Sequence, residues 1–362
     1  MVNCVYIHIP FCEKKCNYCA FCSYSSLSYI DEYITALIKE IKFHYKKEQC
    51  STIYFGGGTP SILNEKQICK ILSCFNYDKS TEITLEANPC SLSYEKLKGY
   101  KNLGINRISI GVQNFNDNIL NMLGRNHTRK DIYNALEYVN RAGIGNMSID
   151  LMYGLPNQNL KQWEETLNKA IKISPKHISL YGLKIEKGTK FYKLYGNNED
   201  KTNNIQADMY KLAHEKLKDY IHYEFSNFAK GEEYISKHNS AYWERRYYYG
   251  FGLSASGFIE NKRYTNTINI KEYMKNPPAR NYTELSQQEE IEEEIFLGLR
   301  LAKGIDFKKI NKKYNIDIYS KYKKIFDKFL NDGYMLKTDK GIKLSLNGVL
   351  VSNEILCEFI DI

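Results

Sequence analysis

The sequence predicts an α/β protein whose main body is a partial (β/α)6 TIM-like barrel, followed by a small winged-helix-like C-terminal domain. Six β-rich runs of five to seven residues alternate with stretches of helical period. The residues best suited to chemistry follow or end those runs, where the loops of such a fold carry its active sites. In the tail, helical stretches precede YMLKTDKGIKLSL, which has the pattern of a hairpin, and a last helix is predicted from Asn347.

The β-rich runs are recognised by their Val, Ile, Tyr and Thr content. They are CVYIHI from Cys4, STIYF from Ser51, EITLEA from Glu82, RISIGV from Arg107, MSIDLMY from Met147 and HISLYGL from His177. Between them lie stretches such as YIDEYITALIKEIKFHYKK from Tyr29, whose apolar residues recur with the period of one helix face. Six strand-then-helix units predict a parallel sheet, and because eight would close a barrel, six predict an open one.

The chain has 362 residues, more than one hydrophobic core usually organises, so we predict three parts. Residues 1–225 are predicted to form the barrel. Residues 226–285 are predicted to be an irregular aromatic and glycine-rich segment that contains KHNSAYWERRYYYGFGLSASGF, and residues 286–362 the winged-helix-like domain.

Composition narrows the classes of function. Hydrophobic content is 43%, no apolar run approaches the about 18 residues that a membrane span requires, and no signal peptide is visible at the start. We therefore expect a cytoplasmic protein with reduced thiols rather than a disulfide framework. The net charge of +9 fits either a solvated lysine face or an anionic partner. Because the lysines of the tail occupy all sides of its predicted helices, nucleic-acid binding is not expected.

Four of the ten cysteines form a cluster, CEKKCNYCAFC, with the spacing C-x3-C-x2-C-x2-C. Zinc usually requires two separated C-x2-C pairs, and a thioredoxin-like site would leave Cys12 unexplained. A [4Fe–4S] cluster bound by three thiolates, with one iron open to a ligand, fits Cys12, Cys16 and Cys19. The spacing leaves the role of Cys22 open.

Further candidates occupy the ends of the later strands. The loop Gly56-Gly57-Gly58-Thr59-Pro60 follows the second run, and its glycines allow a ligand to approach the backbone closely. Glu86 lies at the end of the third predicted strand, Gln113 directly follows RISIGV at the end of the fourth, and Asp150 lies in the fifth. The alternative to ligand binding is a structural role for each of these residues, either filling the barrel or facing solvent.

The segment YIHIPFC followed by CNYCAF resembles the signature of radical S-adenosylmethionine (SAM) enzymes, in particular the coproporphyrinogen-dehydrogenase-like branch. The resemblance covers essentially the whole chain and implies a barrel of the radical SAM type. It implies that Cys12, Cys16 and Cys19 bind a [4Fe–4S] cluster whose open iron holds SAM. It further implies a set of SAM contacts: Tyr6, Tyr18, Gly57, Gly58, Thr59, Glu86, Gln113, Arg125 and Asp150. His8, in the same segment, is expected to support the loop.

Two groups share this scaffold, an oxygen-independent coproporphyrinogen III dehydrogenase and heme chaperones of the HemW type. The dehydrogenase pattern has a fourth cysteine where this chain has Phe21, and it has more than the eleven residues that precede Cys12 here. HNSAYW, from His238 to Trp243, resembles the H-N-x-x-Y-W heme-associated motif of the chaperones. The resemblance therefore implies a heme chaperone, with the dehydrogenase as the alternative, and leaves open whether SAM is cleaved.

The same resemblance implies the partners. Heme is the expected ligand, with the imidazole of His238 as a candidate iron ligand. The expected acceptors are hemoproteins, including membrane-associated respiratory enzymes, and the scaffold is compatible with a homodimer.

Overall fold

The structure, a computed structural model, describes residues 3–196, 199–277 and 280–360. The chain forms two compact units, one built from residues up to 217 together with 247–283, the other from 218–246 together with 284 onward. The predicted middle segment 226–285 thus contributes to both units. The predicted boundaries at 225 and 285 stay a prediction.

The first unit contains the parallel sheet that the sequence predicts. Its first six strands are β1 Cys4–Ile9, β2 Thr52–Gly57, β3 Glu82–Ala87, β4 Arg107–Gln113, β5 Asn146–Tyr153 and β6 His177–Gly182. They pair in parallel in chain order. Five of the six residues of β1 are buried, as expected for a parallel strand covered on both faces. All six carboxyl ends therefore lie along one edge of the sheet.

Helices connect these strands. They are α1 Ile30–His44, α2 Glu65–Leu72, α3 Tyr94–Asn102, α4 Asp117–Met122, α5 Arg129–Ala142, α6 Leu160–Ile173, α7 Lys190–Tyr195 and α8 Glu199–Lys216. Side-chain caps define where several begin: Asn64, Thr128 and Asn159 each accept the N–H of the third helical residue. Because the helices begin at defined residues, the lengths of the strand-to-helix loops are also defined.

The segment expected to be irregular contains regular elements. Residues 218–246 hold the antiparallel pair β7 Ile221–Glu224 and β8 Asn227–Ala229, then α9 Lys237–Trp243. They are followed by β9 Tyr248–Phe251, β10 Ser256–Ile259, β11 Lys262–Thr265, α10 Ile270–Lys275 and β12 Asn281–Glu284. Strand β9 pairs with β1 in parallel and with β10 antiparallel.

The expectation of irregular structure was wrong because glycine has another role here. A Cβ on Gly250 would lie 1.9 Å from the carbonyl oxygen of Ser256, and one on Gly257 would lie 2.2 Å from the ring of Tyr264. These glycines permit close packing within the strands rather than marking loops.

The second unit ends in the predicted small domain. Its remaining elements are α11 Gln287–Arg300, β13 Ile305–Asp306, α12 Phe307–Tyr314, α13 Ile318–Lys321, α14 Lys323–Asn331, β14 Met335–Lys337, β15 Gly341–Leu344, α15 Leu346–Leu350 and α16 Ser352–Cys357. The strands form a sheet in the order β13-β15-β14 around a core that includes Ile295, Phe326 and Phe359. The predicted hairpin is β14–β15. Among the described helices, none is both long and apolar enough to cross a membrane.

A buried ion pair connects α1 to the segment between α10 and β12, within the first unit. Arg280 Nη2 lies 2.8 Å from Glu40 Oε1, and both side chains are almost fully buried. Glu40 also accepts hydrogen bonds from the Tyr273 hydroxyl at 2.6 Å, the Asn266 amide at 2.8 Å and the Gly252 N–H at 2.9 Å. Removal of the carboxylate would leave a guanidinium buried without its counter-ion.

Glu40→Leu should lower the free energy of unfolding by about 3–5 kcal/mol, as measured by urea denaturation. The double variant Glu40→Leu/Arg280→Met should recover part of that loss, because no unpaired charge stays buried. Lys46→Ala is the matched control, since it breaks the exposed Lys46–Glu260 pair at 2.8 Å and should change stability by under about 1 kcal/mol. Equal losses in the single variant and the control would contradict this account.

Candidate functional site

A cavity of about 530 Å³ opens at the carboxyl ends of the parallel strands. Its volume is in the range of small-molecule sites, roughly 300–1,000 Å³. Of the thirteen residues to which the sequence analysis assigns the cluster, SAM or heme, eleven line it: Cys12, Cys16, Tyr18, Cys19, Gly57, Gly58, Thr59, Glu86, Gln113, Arg125 and Asp150. Residues from β1 to β5 and their loops, distant in sequence, therefore meet around one space.

The cysteine loop after β1 is held at its base and in its middle. At the base, where its two ends meet, the Cys12 N–H donates to the Tyr24 carbonyl at 3.0 Å, and the Tyr24 N–H donates to the Pro10 carbonyl at 2.7 Å. In the middle, Asn17 donates through its amide to the Met122 carbonyl at 2.8 Å. These bonds hold the loop against the end of α4, with its first three cysteines on the cavity.

Each of those three thiols has a hydrogen-bonding neighbour. The Thr59 hydroxyl donates to Cys12 Sγ at 3.4 Å, and Arg125 Nη1 donates to Cys16 Sγ at 3.4 Å. The Phe21 N–H donates to the sulfur of Cys19. Donors of this kind stabilise thiolates and orient them as ligands.

In the part of the chain that the structure describes, no group of three or more His, Cys, Asp or Glu is arranged to hold a single metal ion. A [4Fe–4S] cube binds each thiolate through a different iron, so its ligands need not converge on one point. The three thiols on one cavity therefore suit a cluster better than a zinc ion, which requires four convergent ligands.

Cys22 lies apart from the other three cysteines of the motif. Its Sγ is 3.9 Å from the carbonyl oxygen of Ile268, and its thiol also bonds Ser254. Because it is not among the cavity-lining residues, the structure gives no reason to include it among the cluster ligands.

The glycine loop requires its glycines. Gly57 has φ of 110°, and a Cβ there would lie 2.6 Å from the ring of His8. A Cβ on Gly58 would lie 2.7 Å from the Phe11 carbonyl oxygen. A residue with a side chain at either position would displace the cysteine loop or His8.

Tyr6 stands behind this loop rather than on the cavity. Its hydroxyl is 3.1 Å from His8 Nδ1, and His8 Nε2 is 3.1 Å from the Cys22 carbonyl oxygen. His8 thus bridges β1 to the cysteine loop, and Tyr6 supports it. The role of Tyr6 as a direct SAM contact stays a prediction.

Two of the carboxyl groups on the cavity, those of Glu86 and Asp150, were predicted from the sequence. Glu86 Oε1 accepts from the Tyr54 hydroxyl at 2.7 Å, and Oε2 accepts from the Gly57 N–H at 3.2 Å. The Ser109 hydroxyl donates to the Asp150 carboxylate, with its oxygen 3.0 Å from Oδ1 and 3.3 Å from Oδ2. Burial raises the pKa of Glu86 to about 7, and burial also raises the pKa of Asp150 above its usual range.

Gln113 is held in a strained conformation at the end of β4. Its φ is 63°, a left-handed value that is uncommon outside glycine, and the register of β4 against β5 shifts just before it. Its Oε1 is buried without a hydrogen-bond partner. A strained residue with an unpaired polar atom beside a cavity is typical of a ligand-binding position.

Alternation along β4 identifies two lining residues that were not among the sequence candidates. Ser109, Gly111 and Gln113 are two residues apart and all line the cavity, so the period of a strand could have pointed to Ser109 and Gly111. Four more lining residues, Lys14, Lys15, Tyr181 and Lys184, carried no signal in the sequence beyond their nearness to strand ends.

His238 lies in the second unit, on α9, and is 1% exposed. Its Nε2 is 2.8 Å from the Tyr242 hydroxyl, one helical turn away. An iron atom could reach this nitrogen only if Tyr242 moved. The assignment of His238 as a heme ligand stays a prediction.

Comparison with known proteins agrees with this geometry. Residues 6–170 match the model of the radical SAM superfamily, and residues 285–351 match the HemN C-terminal domain. A protein of Bacillus subtilis named heme chaperone HemW is 38% identical over 98% of this chain and 98% of its own length. The chain belongs to the HemW family. A HemW protein of Lactococcus lactis is 35% identical over 99% of this chain and 97% of its own length.

The same fold is found in a solved structure. Coproporphyrinogen III oxidase from Escherichia coli matches with a TM-score of 0.84 and 22% identity, over 99% of this chain and 90% of that chain. At this identity the likeness concerns the fold alone. It confirms the predicted α/β fold class, the partial barrel of the radical SAM type with its small C-terminal domain.

Glu86 should make the stability of the ligand-free protein depend on pH. Between the ordinary pKa of 4.5 and about 7, the unfolded chain loses this proton while the folded chain keeps it. The contribution of Glu86 to the free energy of unfolding therefore decreases as pH rises through that window. Urea denaturation of the wild type and Glu86→Gln should show the variant gaining relative stability between pH 5 and pH 8. A difference that stays constant over this range would contradict the raised pKa.

Proposed function

We propose that this protein is a heme chaperone, which binds heme and delivers it to acceptor hemoproteins. The observation that carries the proposal is the similarity to proteins named heme chaperone HemW over 98% of both chains. Phe21, at the position of the fourth cysteine in the dehydrogenase pattern, also supports a chaperone. The acceptors would include respiratory hemoproteins, and the location would be the cytoplasm, consistent with ten free cysteines.

The proposal includes a [4Fe–4S] cluster and SAM. Cys12, Cys16 and Cys19 would hold the cluster, because their thiols share one cavity and each has a hydrogen-bonding neighbour. In this superfamily the reduced cluster and SAM together supply one-electron chemistry. Within this chain, Thr59 and Arg125 would orient the thiolates of Cys12 and Cys16.

The remaining cavity residues would bind SAM. The backbone of Gly57 and Gly58 leaves room for the methionine part of the molecule. Glu86 and Asp150 offer carboxylate oxygens that can accept from ribose hydroxyls. Gln113 would pair its unsatisfied Oε1 with a donor of the ligand. Tyr18 and Arg125 complete the polar lining.

The cluster assignment is tested by two cysteine variants. Cys16→Ala should lose nearly all bound iron and sulfide after anaerobic reconstitution, because two thiolates do not hold the cube. Cys22→Ala is the matched control and should retain about four of each, because its thiol faces Ile268. The iron and sulfide content of both variants is the measurement that checks this prediction. A loss in both variants would mean that Cys22 is also a ligand.

The glycine loop is tested by SAM binding to the cluster-loaded protein. Gly57→Ala should weaken the affinity roughly tenfold or more, because its φ of 110° and the 2.6 Å approach to His8 force the loop to move. Gly145→Ala, with no atom within 4 Å of its added Cβ, is the control and should bind as the wild type does. Calorimetry that finds equal affinities in all three proteins would exclude the loop from the SAM site.

The function itself is tested by heme transfer. Anaerobic titration with hemin should saturate at one heme per chain, and the loaded protein should pass heme to a heme-free respiratory cytochrome faster than free hemin does. Absorbance spectra follow both steps. Turnover of coproporphyrinogen III with no saturable hemin binding would instead support the dehydrogenase.

A further inference from the structure

Two aromatic rings stand exposed at the opening of the cavity. Phe21, in the cysteine loop, is 69% exposed, and Tyr181, near the end of β6, is 43% exposed. Both line the same cavity. Large apolar rings exposed together at one opening are typical of a surface that a ligand covers.

The ring of Phe21 projects from a backbone that is held in place. Its N–H bonds the sulfur of Cys19, and its carbonyl accepts from Lys15 Nζ at 3.1 Å. The backbone that carries the ring therefore has a defined position, while the ring itself is exposed. A ligand that binds this ring need not order the backbone beneath it, which lowers the entropic cost of binding.

Three lysines line the same cavity as these rings. Lys14 and Lys15 follow the first cysteine, and Lys184 follows β6; all three are exposed and line the cavity. Glu186 lies 3.0 Å from Lys184 and offsets part of that charge. The opening thus combines flat apolar surface with ammonium groups. This combination is complementary to a flat apolar molecule that carries carboxylates.

We propose that this opening, formed by Phe21, Tyr181, Lys14, Lys15 and Lys184, is the surface on which heme docks. The porphyrin face would stack on Phe21 and Tyr181, and the propionates would face the lysines. The inference rests on the proposed heme-chaperone function and deepens it by assigning the site. It also gives Phe21 a function at the position where the dehydrogenase pattern has a cysteine. It does not require His238, whose nitrogen is engaged by Tyr242.

The stacking contact is tested by hemin titration of Phe21→Ala beside Phe43→Ala. Phe43, on α1, is 71% exposed and does not line the cavity, so it is a matched control. We expect about tenfold weaker hemin binding in Phe21→Ala and wild-type binding in the control. Iron and sulfide content of both variants verifies that the loop still folds. Wild-type affinity in Phe21→Ala would overturn the docking surface.

The charged contact is tested by comparing hemin with hemin dimethyl ester, which lacks free carboxylates. The double variant Lys14→Glu/Lys184→Glu should weaken hemin binding several-fold, more at low salt than at high salt, and leave ester binding unchanged. An equal loss for both ligands, or no loss for either, would contradict the propionate contact. If the wild type bound no hemin saturably, the chaperone proposal would fail. If the wild type binds hemin saturably and the Phe21 and lysine variants bind it equally well, only this docking surface is overturned.

Discussion

The backbone of the glycine loop lies directly against the backbone that leads into the cysteine loop, and the rest of the site depends on this contact. The Gly58 N–H donates to the Ile9 carbonyl at 2.9 Å, and the Thr59 N–H donates to the Phe11 carbonyl at 2.8 Å. These bonds continue the parallel pairing of β1 and β2 beyond the ends of both strands. They leave no space for a Cβ at Gly58 and bring the Thr59 hydroxyl to the Cys12 sulfur. The cysteine loop is therefore positioned by backbone geometry before any ligand binds.

The cavity beside this contact has two chemically different sides. On one side, Arg125 donates to the Cys16 sulfur and to the Gly111 carbonyl, so that a guanidinium lies next to the thiols. On the other, Glu86 and Asp150 are held by Tyr54 and Ser109 on neighbouring strands. A ligand with both a carboxylate and hydroxyl groups, such as the proposed SAM, can satisfy both sides at once. Burial strengthens each of these interactions because water screens them less.

The parallel strands and the cysteine cluster could be predicted from the sequence, because both are local patterns. The predicted run EITLEA coincides with β3, and CVYIHI coincides with β1. Features that depend on distant pairing could not be predicted. Strand β9 joins β1 across more than two hundred residues, and its glycine, Gly250, resembled a loop signal.

The orientation of side chains could not be predicted from the sequence either. Tyr6 belongs to the predicted motif but supports His8 behind the loop. Cys22 continues the cysteine spacing but faces Ile268. His238 lies in a motif associated with heme, yet its ring is buried against Tyr242. In each case residue type and spacing were informative, whereas orientation was set by contacts between segments far apart in the chain.

The proposed site depends on SAM binding to a [4Fe–4S] cluster that Cys12, Cys16 and Cys19 would hold beside the glycine loop, with one iron not bound by a cysteine. Electron paramagnetic resonance of the reduced, reconstituted protein with and without SAM tests it most directly. We expect SAM to change the g values of the cluster signal, because it would coordinate the iron that no cysteine binds. An unchanged spectrum at saturating SAM would contradict the claim.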